Sequence, residues 1–236
     1  MAKLDLKLDG KIAVVTLDQD DNRLNPDLCL SLLGILDKIE KETDALTLVV
    51  KSGHARVWSN GFDTDWINAR LAEGDKETVS QFLAKDIELR IRLLTYPLLT
   101  IAAINGHVFG GGAVLSCCFD FRFMLSRRGY FCIPAVDRGF PIVPGTAVLL
   151  KHVMPMYMVE DIILSGRRFT GKEAVAAQII TATYNEDEFT DKVMAFANGC
   201  NKGRWIVGQM KKVYHLGVLE QMATDMEHIE PGTVRV

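Results

Sequence analysis

Two glycine-bearing segments, set far apart, constrain this chain more than any other feature. The first reads Trp58-Ser59-Asn60-Gly61-Phe62-Asp63. The second reads Ala103-Ile104-Asn105-Gly106-His107-Val108-Phe109-Gly110-Gly111-Gly112. Each follows an apolar run, residues 46–50 and 98–104, that reads as a buried strand, and each leads into a helical segment. A strand that feeds a helix through glycines leaves backbone N–H groups pointing outward, without intrahelical partners. Two such turns facing each other would make a two-donor hole for a developing oxyanion. Neither turn is built for a nucleotide. The glycines from Gly106 to Gly112 lack the Gly-x-Gly-x-x-Gly spacing, and no Lys-Ser/Thr follows them as in a P-loop.

The remaining pattern alternates strands with helices and predicts an α/β fold. Residues 3–8 and 11–17 read as two strands joined at Asp9-Gly10. Residues 27–40 carry helical periodicity, with Leu28, Leu32, Ile35, Leu36 and Ile39 on one face. Residues 78–95 form a long amphipathic helix that ends at Tyr96-Pro97, because proline disfavours helix in the residue before it. A buried helix over 111–119 and a strand over 121–125 follow the second glycine turn. Helices are expected over 158–164, 171–177, 187–201 and 205–222. Strand-strand-helix units recur, without a repeat visible in the residues themselves. The division expected is a core over 1–186 and a helical lobe over 187–236.

Composition narrows the partners. The net charge of −3 gives no electrostatic case for nucleic acid or an acidic membrane surface. The five cysteines include no Cys-x-x-Cys pair, and their odd number argues against a disulfide framework and for buried free thiols. The five scattered histidines have no ligand spacing, so no metal is expected. Lys3, Asp5, Lys7 and Asp9 interrupt the opening too often for a signal peptide. The apolar stretch from Pro97 to Phe119 holds Asn105, His107 and four glycines near its middle, which a single membrane span would tolerate badly. Thr233-Val234-Arg235-Val236 is not a Ser-Lys-Leu-type peroxisomal address. The expected location is cytoplasmic.

The two glycine segments, in this order, resemble the crotonase superfamily of enoyl-CoA hydratases and isomerases. That family carries a small-x-Gly-x-Asp loop and then an Asn-Gly-x-x-x-Gly-Gly-Gly turn. Asp120 stands where the family has an acidic residue. Leu164-Ser165-Gly166-Arg167-Arg168-Phe169-Thr170, followed by Glu173-Ala174 and Ala177, resembles its downstream signature. The resemblance spans about residues 4–220. Arg23-Leu24-Asn25-Pro26 and Ser59 to Asp63 most resemble the monofunctional 3,2-enoyl-CoA isomerases of plant peroxisomes. The fold implied is a spiral of repeated ββα units with a C-terminal helical lobe. The assembly implied is a homotrimer or a dimer of trimers. The apolar tail residues, among them Trp205, Met210, Val213 and Leu216, are too many for a solvated helix.

The resemblance also implies site residues. The backbone N–H groups of Phe62 and Gly111 would hold the thioester oxygen as it gains charge, Gly111 with the positive end of a helix behind it. Arg23, Leu24, Ser59 and Gly61, together with Phe62 and Gly111, would line the thioester and pantetheine path. Coenzyme A enters only as part of the substrate, so no separate cofactor is expected. Asp63 reads as a turn or helix cap and Asp120 as buried structure. His107 reads as packing or a backbone hydrogen bond. Leu83, Ile87 and Leu94 read as core, and Trp66 as a candidate pocket wall.

The acid–base residues depart from the family. Its hydratases use two glutamates, and the matching positions here are Val114 and Ala135, the latter after Pro134. Other members place an acid deeper in this loop, near Val143, which is also apolar. Water addition needs a base for water and an acid for the carbon, whereas an isomerase needs one group that shuttles a proton. Asp137 is the lone carboxylate between Ser126 and Leu150 and is the candidate shuttle, against a surface or capping role beside Arg138. The expected activity is isomerisation of 3-enoyl-CoA to 2-enoyl-CoA in fatty-acid β-oxidation. The alternatives are a divergent crotonase with hydrolase or other thioester chemistry, or an acyl-CoA-binding homologue without catalysis.

Overall fold

A computed structural model of the chain describes residues 2–229. Thr233-Val234-Arg235-Val236 and the end of the 187–236 segment lie outside the described residues. The chain opens with an antiparallel hairpin of β1 (Leu4–Asp9) and β2 (Ile12–Leu17), paired from Leu4↔Leu17 to Asp9↔Ile12. Helix α1 (Pro26–Glu42) starts where Asn25 accepts a hydrogen bond from the Leu28 N–H at 3.0 Å and Pro26 occupies the first turn.

Three turns of a spiral follow. The first is β3 (Thr47–Ser52), β4 (Val57–Ser59), α2 (Thr64–Ala72) and α3 (Lys76–Leu94). The second is β5 (Leu99–Ile104), β6 (His107–Phe109) and α4 (Gly111–Ser116). The third is β7 (Phe121–Leu125), β8 (Phe131–Cys132) and α5 (Pro144–Val153). The first strand of each turn enters a six-stranded sheet, order β1-β2-β3-β5-β7 and then β9 (Ala182–Tyr184). The second strand of each turn enters a separate parallel sheet, β4-β6-β8. Every pair in the large sheet beyond β1/β2 is parallel. Between β8 and β9 the chain adds α5, α6 (Met156–Ser165) and α7 (Gly171–Ala176). The expected repeat of ββα units is therefore present.

Parallel central strands are covered on both faces, which is why their sequences run apolar without alternation. Leu48 and Val50 face the main core with Ala102 and Met124. Val49, Ile101 and Phe123 face the other way, under Phe189, Val193 and Ala197 of α8 (Glu186–Gly199). The helical run expected over 205–222 breaks at His215 into α9 (Arg204–Tyr214) and α10 (Leu216–Glu227). Arg204 donates to the carbonyls of Glu40 at 2.8 Å, Thr43 at 2.7 Å and Ala45 at 2.7 Å, so its guanidinium satisfies the open end of α1. Helix α10 packs on α5 and α3.

Candidate active site

The two glycine segments meet in space. Ser59 ends β4 and is buried, and its hydroxyl donates to the Asn22 carbonyl at 2.8 Å and accepts from the Gly61 N–H at 3.3 Å. A Cβ on Gly112 would fall 2.4 Å from that hydroxyl oxygen, so the first turn of α4 closes directly on Ser59. Gly61 has φ +81°, and a Cβ there would lie 2.7 Å from the Phe109 carbonyl oxygen and 3.0 Å from the Gly111 nitrogen. A Cβ on Gly111 would lie 3.2 Å from Leu24 Cδ1 and 3.4 Å from the Phe62 ring. The loops bearing Leu24, Phe62 and Gly111 are thus in contact.

Phe62 is oriented by the strand-like bridge it makes with Leu24. The Leu24 N–H donates to the Gly61 carbonyl at 2.7 Å, and the Leu24 carbonyl accepts from the Asp63 N–H at 2.9 Å. Those two bonds consume the peptide groups on either side of Phe62. In an extended strand successive N–H groups point to opposite edges, so the Phe62 N–H turns away from Leu24. Neither the Phe62 nor the Gly111 N–H has a hydrogen-bond partner among the described residues. Gly111 opens α4, where an intrahelical partner is lacking by geometry. Both residues are partly buried, so these amides are donors open to a ligand or to water.

The other expected site residues divide by environment. Leu24 and Ser59 are buried, so this loop can meet a ligand through its backbone and Gly61 rather than through those side chains. Arg23 is half-exposed and donates to Asp65 at 2.6 Å, with Asp63 and Asp21 just below 4 Å away. That hydrogen bond holds its guanidinium pKa above the usual value. Asp63 is the cap expected: its carboxylate accepts from the Trp66 N–H at 3.2 Å and starts α2. Trp66 meets Phe82 edge to face at 5.4 Å, and Phe82 meets Phe62 likewise at 5.7 Å. His107 is ring packing, stacked on Tyr130 and tilted against Phe109, and burial lowers its pKa.

Val114 is buried and apolar, and Ala135 is partly buried against the core. Asp137 is exposed, on the turn after β8. A Cβ on Gly166 would lie 2.4 Å from its Oδ2, which places the carboxylate against the turn that ends α6. It is not among the residues that meet at the Phe62–Gly111 contact.

A model of the enoyl-CoA hydratase/isomerase family matches residues 7–230. The chain belongs to that family. It is 28% identical over 179 residues to the enoyl-CoA delta isomerase 3 of Arabidopsis thaliana, covering 75% of each chain. It is 31% identical over 175 residues to a putative enoyl-CoA hydratase of Thermus thermophilus, covering 72% of this chain and 67% of that one. The solved apo structure of an enoyl-CoA isomerase of Mycobacterium tuberculosis superposes with a TM-score of 0.85 at 21% identity, over 96% of each chain. The fold of this member of the family is thus the crotonase fold. Both isomerase and hydratase names occur among its relatives.

Sequence reasoning passed over several residues that build the site. Asn22 is fully buried at φ +48° and donates to Ser52 Oγ at 2.8 Å and the Trp58 carbonyl at 3.0 Å. It ties the Arg23–Leu24 loop to β3 and β4. Asn105 holds the Ser52 N–H and carbonyl and the His54 carbonyl. Asp86 and Arg90 form a buried ion pair at 2.6 Å on α3, and Arg90 reaches both Thr146 at 3.2 Å and the Phe62 ring, 5.9 Å to its centroid. The signal was available. Asp86 and Arg90 are four residues apart and fall on the same helical stripe as Leu83, Ile87 and Leu94.

Proposed function

We propose that this chain isomerises 3-enoyl-CoA thioesters to 2-enoyl-CoA, a step that moves a double bond into conjugation in fatty-acid β-oxidation. The observation that carries the reading is one contrast. Two apposed loops present unpartnered N–H groups at Phe62 and Gly111, while both hydratase carboxylate positions are apolar, as Val114 and Ala135. The two donors would take the thioester oxygen as charge builds on it, each typically worth about 3 kcal/mol in the transition state. Gly61 and the Arg23–Leu24 loop would lie along the pantetheine. Such a site lowers the cost of a dienolate but supplies no pair of groups for adding water. The names of the relatives in Arabidopsis thaliana and Mycobacterium tuberculosis support the same reading.

The test is direct. Purified protein is given a 3-enoyl-CoA and, separately, a 2-enoyl-CoA, and products are resolved by chromatography. Conversion of the first with no 3-hydroxyacyl-CoA from the second is expected. Hydration at a comparable rate would sink the isomerase reading.

One observation favours a second reading, a homologue that binds acyl-CoA without turning it over. Asp137 is exposed and lies against Gly166, outside the loop contact. Tight acyl-CoA binding with no turnover of either substrate would select that reading. We also propose a trimer-based assembly, supported by the exposed Trp205, Met210 and Val213 on α9. A cytoplasmic location is proposed on the five cysteines, all of them free thiols. Among the described residues no helix is long and apolar enough to cross a membrane.

A further inference from the structure

The strongest unexplained feature near the candidate site is a carboxylate with a free oxygen. Asp86 is 2% exposed, and its Oδ2 pairs with Arg90 at 2.6 Å. Its Oδ1 is buried with no hydrogen-bond partner, and so is the Nε of Arg90. Buried polar atoms are nearly always paired, because an orphan pays its desolvation without return. The ion pair thus keeps one acceptor and one donor unused.

The pair lies beside the residue that would hold the thioester oxygen. Arg90 bridges from Thr146, at the start of α5, to the face of Phe62. If the carbonyl oxygen sits on the Phe62 N–H, the carbon next to the carbonyl is only two bonds from that oxygen. The other carboxylates around this region are engaged. Asp63 caps α2. Asp225 accepts from the Gly145 N–H at 2.7 Å and caps α5, whose own start at Val143 offers no side-chain acceptor. Asp120 accepts from the Thr100 N–H and hydroxyl and pairs with Lys211.

We propose that Asp86 is the catalytic carboxylate that carries the proton between C2 and C4 of the enoyl chain. The proposal rests on the isomerase reading above. The ionised Asp86 takes the proton from C2. The C–H electron pair becomes the C1=C2 bond of a dienolate, and the carbonyl π pair moves onto the oxygen held by Phe62 and Gly111. The carbonyl then re-forms, the double bond shifts from C3=C4 to C2=C3, and the electrons arriving at C4 take the same proton back from Asp86. Nothing is oxidised or reduced and no water is consumed. Arg90 stays charged throughout and steadies the carboxylate each time it is regenerated. The shuttle requires the acyl chain to pass the Phe62–Phe82–Trp66 cluster on its way to Asp86.

The charge environment agrees. Burial raises the Asp86 pKa, and Arg90 opposes that rise. The other titratable groups facing it are the thiols of Cys29 on α1 and Cys118 just after α4, and burial holds both well above the usual thiol range. Arg90 is the charged group that opposes burial at Asp86.

The experiment compares wild type, Asp86→Asn and Asp86→Glu in three measurements: isomerisation of a 3-enoyl-CoA, deuterium uptake at C2 of a saturated acyl-CoA in D2O, and acyl-CoA binding by calorimetry. C2 exchange needs the oxyanion hole and the base but not the isomerisation. Asp86→Asn is expected to lose roughly 10³-fold in both rates while still binding acyl-CoA. Asp86→Glu is expected to recover part of each. Folded Asp86→Asn with either rate within tenfold of wild type would overturn the assignment. If Asp86→Asn does not fold, the wild-type pH–rate profile decides. An acid limb above the ordinary carboxylate range supports Asp86, and one at the ordinary range overturns it. Wild type that exchanges C2 protons through Asp86 but does not isomerise would keep the base and reject the isomerase reading. Wild type that does neither rejects both.

Discussion

Lys211 on α9 sets its ammonium 2.6 Å from the carboxylate of Asp120 and 2.7 Å from the Leu98 carbonyl. The contact joins the C-terminal helices to the start of β5 and the segment after α4. Burial lowers the Lys211 pKa and Asp120 opposes that, so the charge is kept by its partner. Replacing Lys211 by Met should destabilise the fold by about 3 kcal/mol, the lower end for a buried pair that loses one member, because Asp120 keeps its two bonds from Thr100. Urea titration followed by circular dichroism measures this, and an unchanged midpoint would refute it.

Gly111→Pro separates the donor from the fold. Proline suits the first position of a helix, where its missing N–H has no intrahelical partner to lose. The new side chain would meet Leu24 Cδ1 near 3.2 Å, a contact that a small shift relieves. The variant should therefore fold but lose roughly 10²–10³-fold in kcat, the cost of one oxyanion donor. Steady-state kinetics on a 3-enoyl-CoA, with a melting curve beside it, checks both halves.

Much of this was legible because backbone chemistry writes itself into glycines. Gly61 and Gly112 are forced by close approach, and their spacing survives in the residues as printed. Strands β2, β3, β5 and β7 of the large sheet were legible as apolar runs and β1 as an alternating one, whereas β9, three residues long, was not. The strands β4, β6 and β8 were not, since each is two or three residues long and offers no period to read. The break between α9 and α10 was also missed. His215 serves as the last cap of one helix and the first of the next, and the nearest breaker, Gly217, falls inside the first turn of α10 rather than at the break. The Asp86–Arg90 pair was hidden in plain view, because charges at helical spacing read as a solvated face until packing shows them inside.

Asp137 should prove dispensable. Its carboxylate is exposed and rests on the Gly166 turn. Asp137→Asn keeps the shape of the side chain and removes only the charge. Isomerase activity within about twofold of wild type is expected, in keeping with an exposed site off the reacting atoms. A loss of two orders of magnitude would return Asp137 to the site and remove Asp86 from it.

Acid should loosen the C-terminal elbow through His215. Its ring lies 5.1 Å from that of His152 and 4.9 Å from that of Tyr214, and its Nδ1 is buried without a partner. Burial is the main cause that pushes its pKa down to about 4, with His152 and Lys211 adding to it and Asp120 opposing. The His152 pKa is lowered by burial as well. A histidine depressed in the folded state binds its proton more readily in the unfolded chain. Stability is therefore complete above the ordinary histidine range and falls as pH drops from there toward about 4. His215→Phe fills the same space without a titrating group. Its melting temperature should change less than that of wild type between about pH 7.5 and about pH 5, measured by differential scanning calorimetry in matched ionic strength. Equal acid slopes in the two proteins would show that His215 is not the group that titrates.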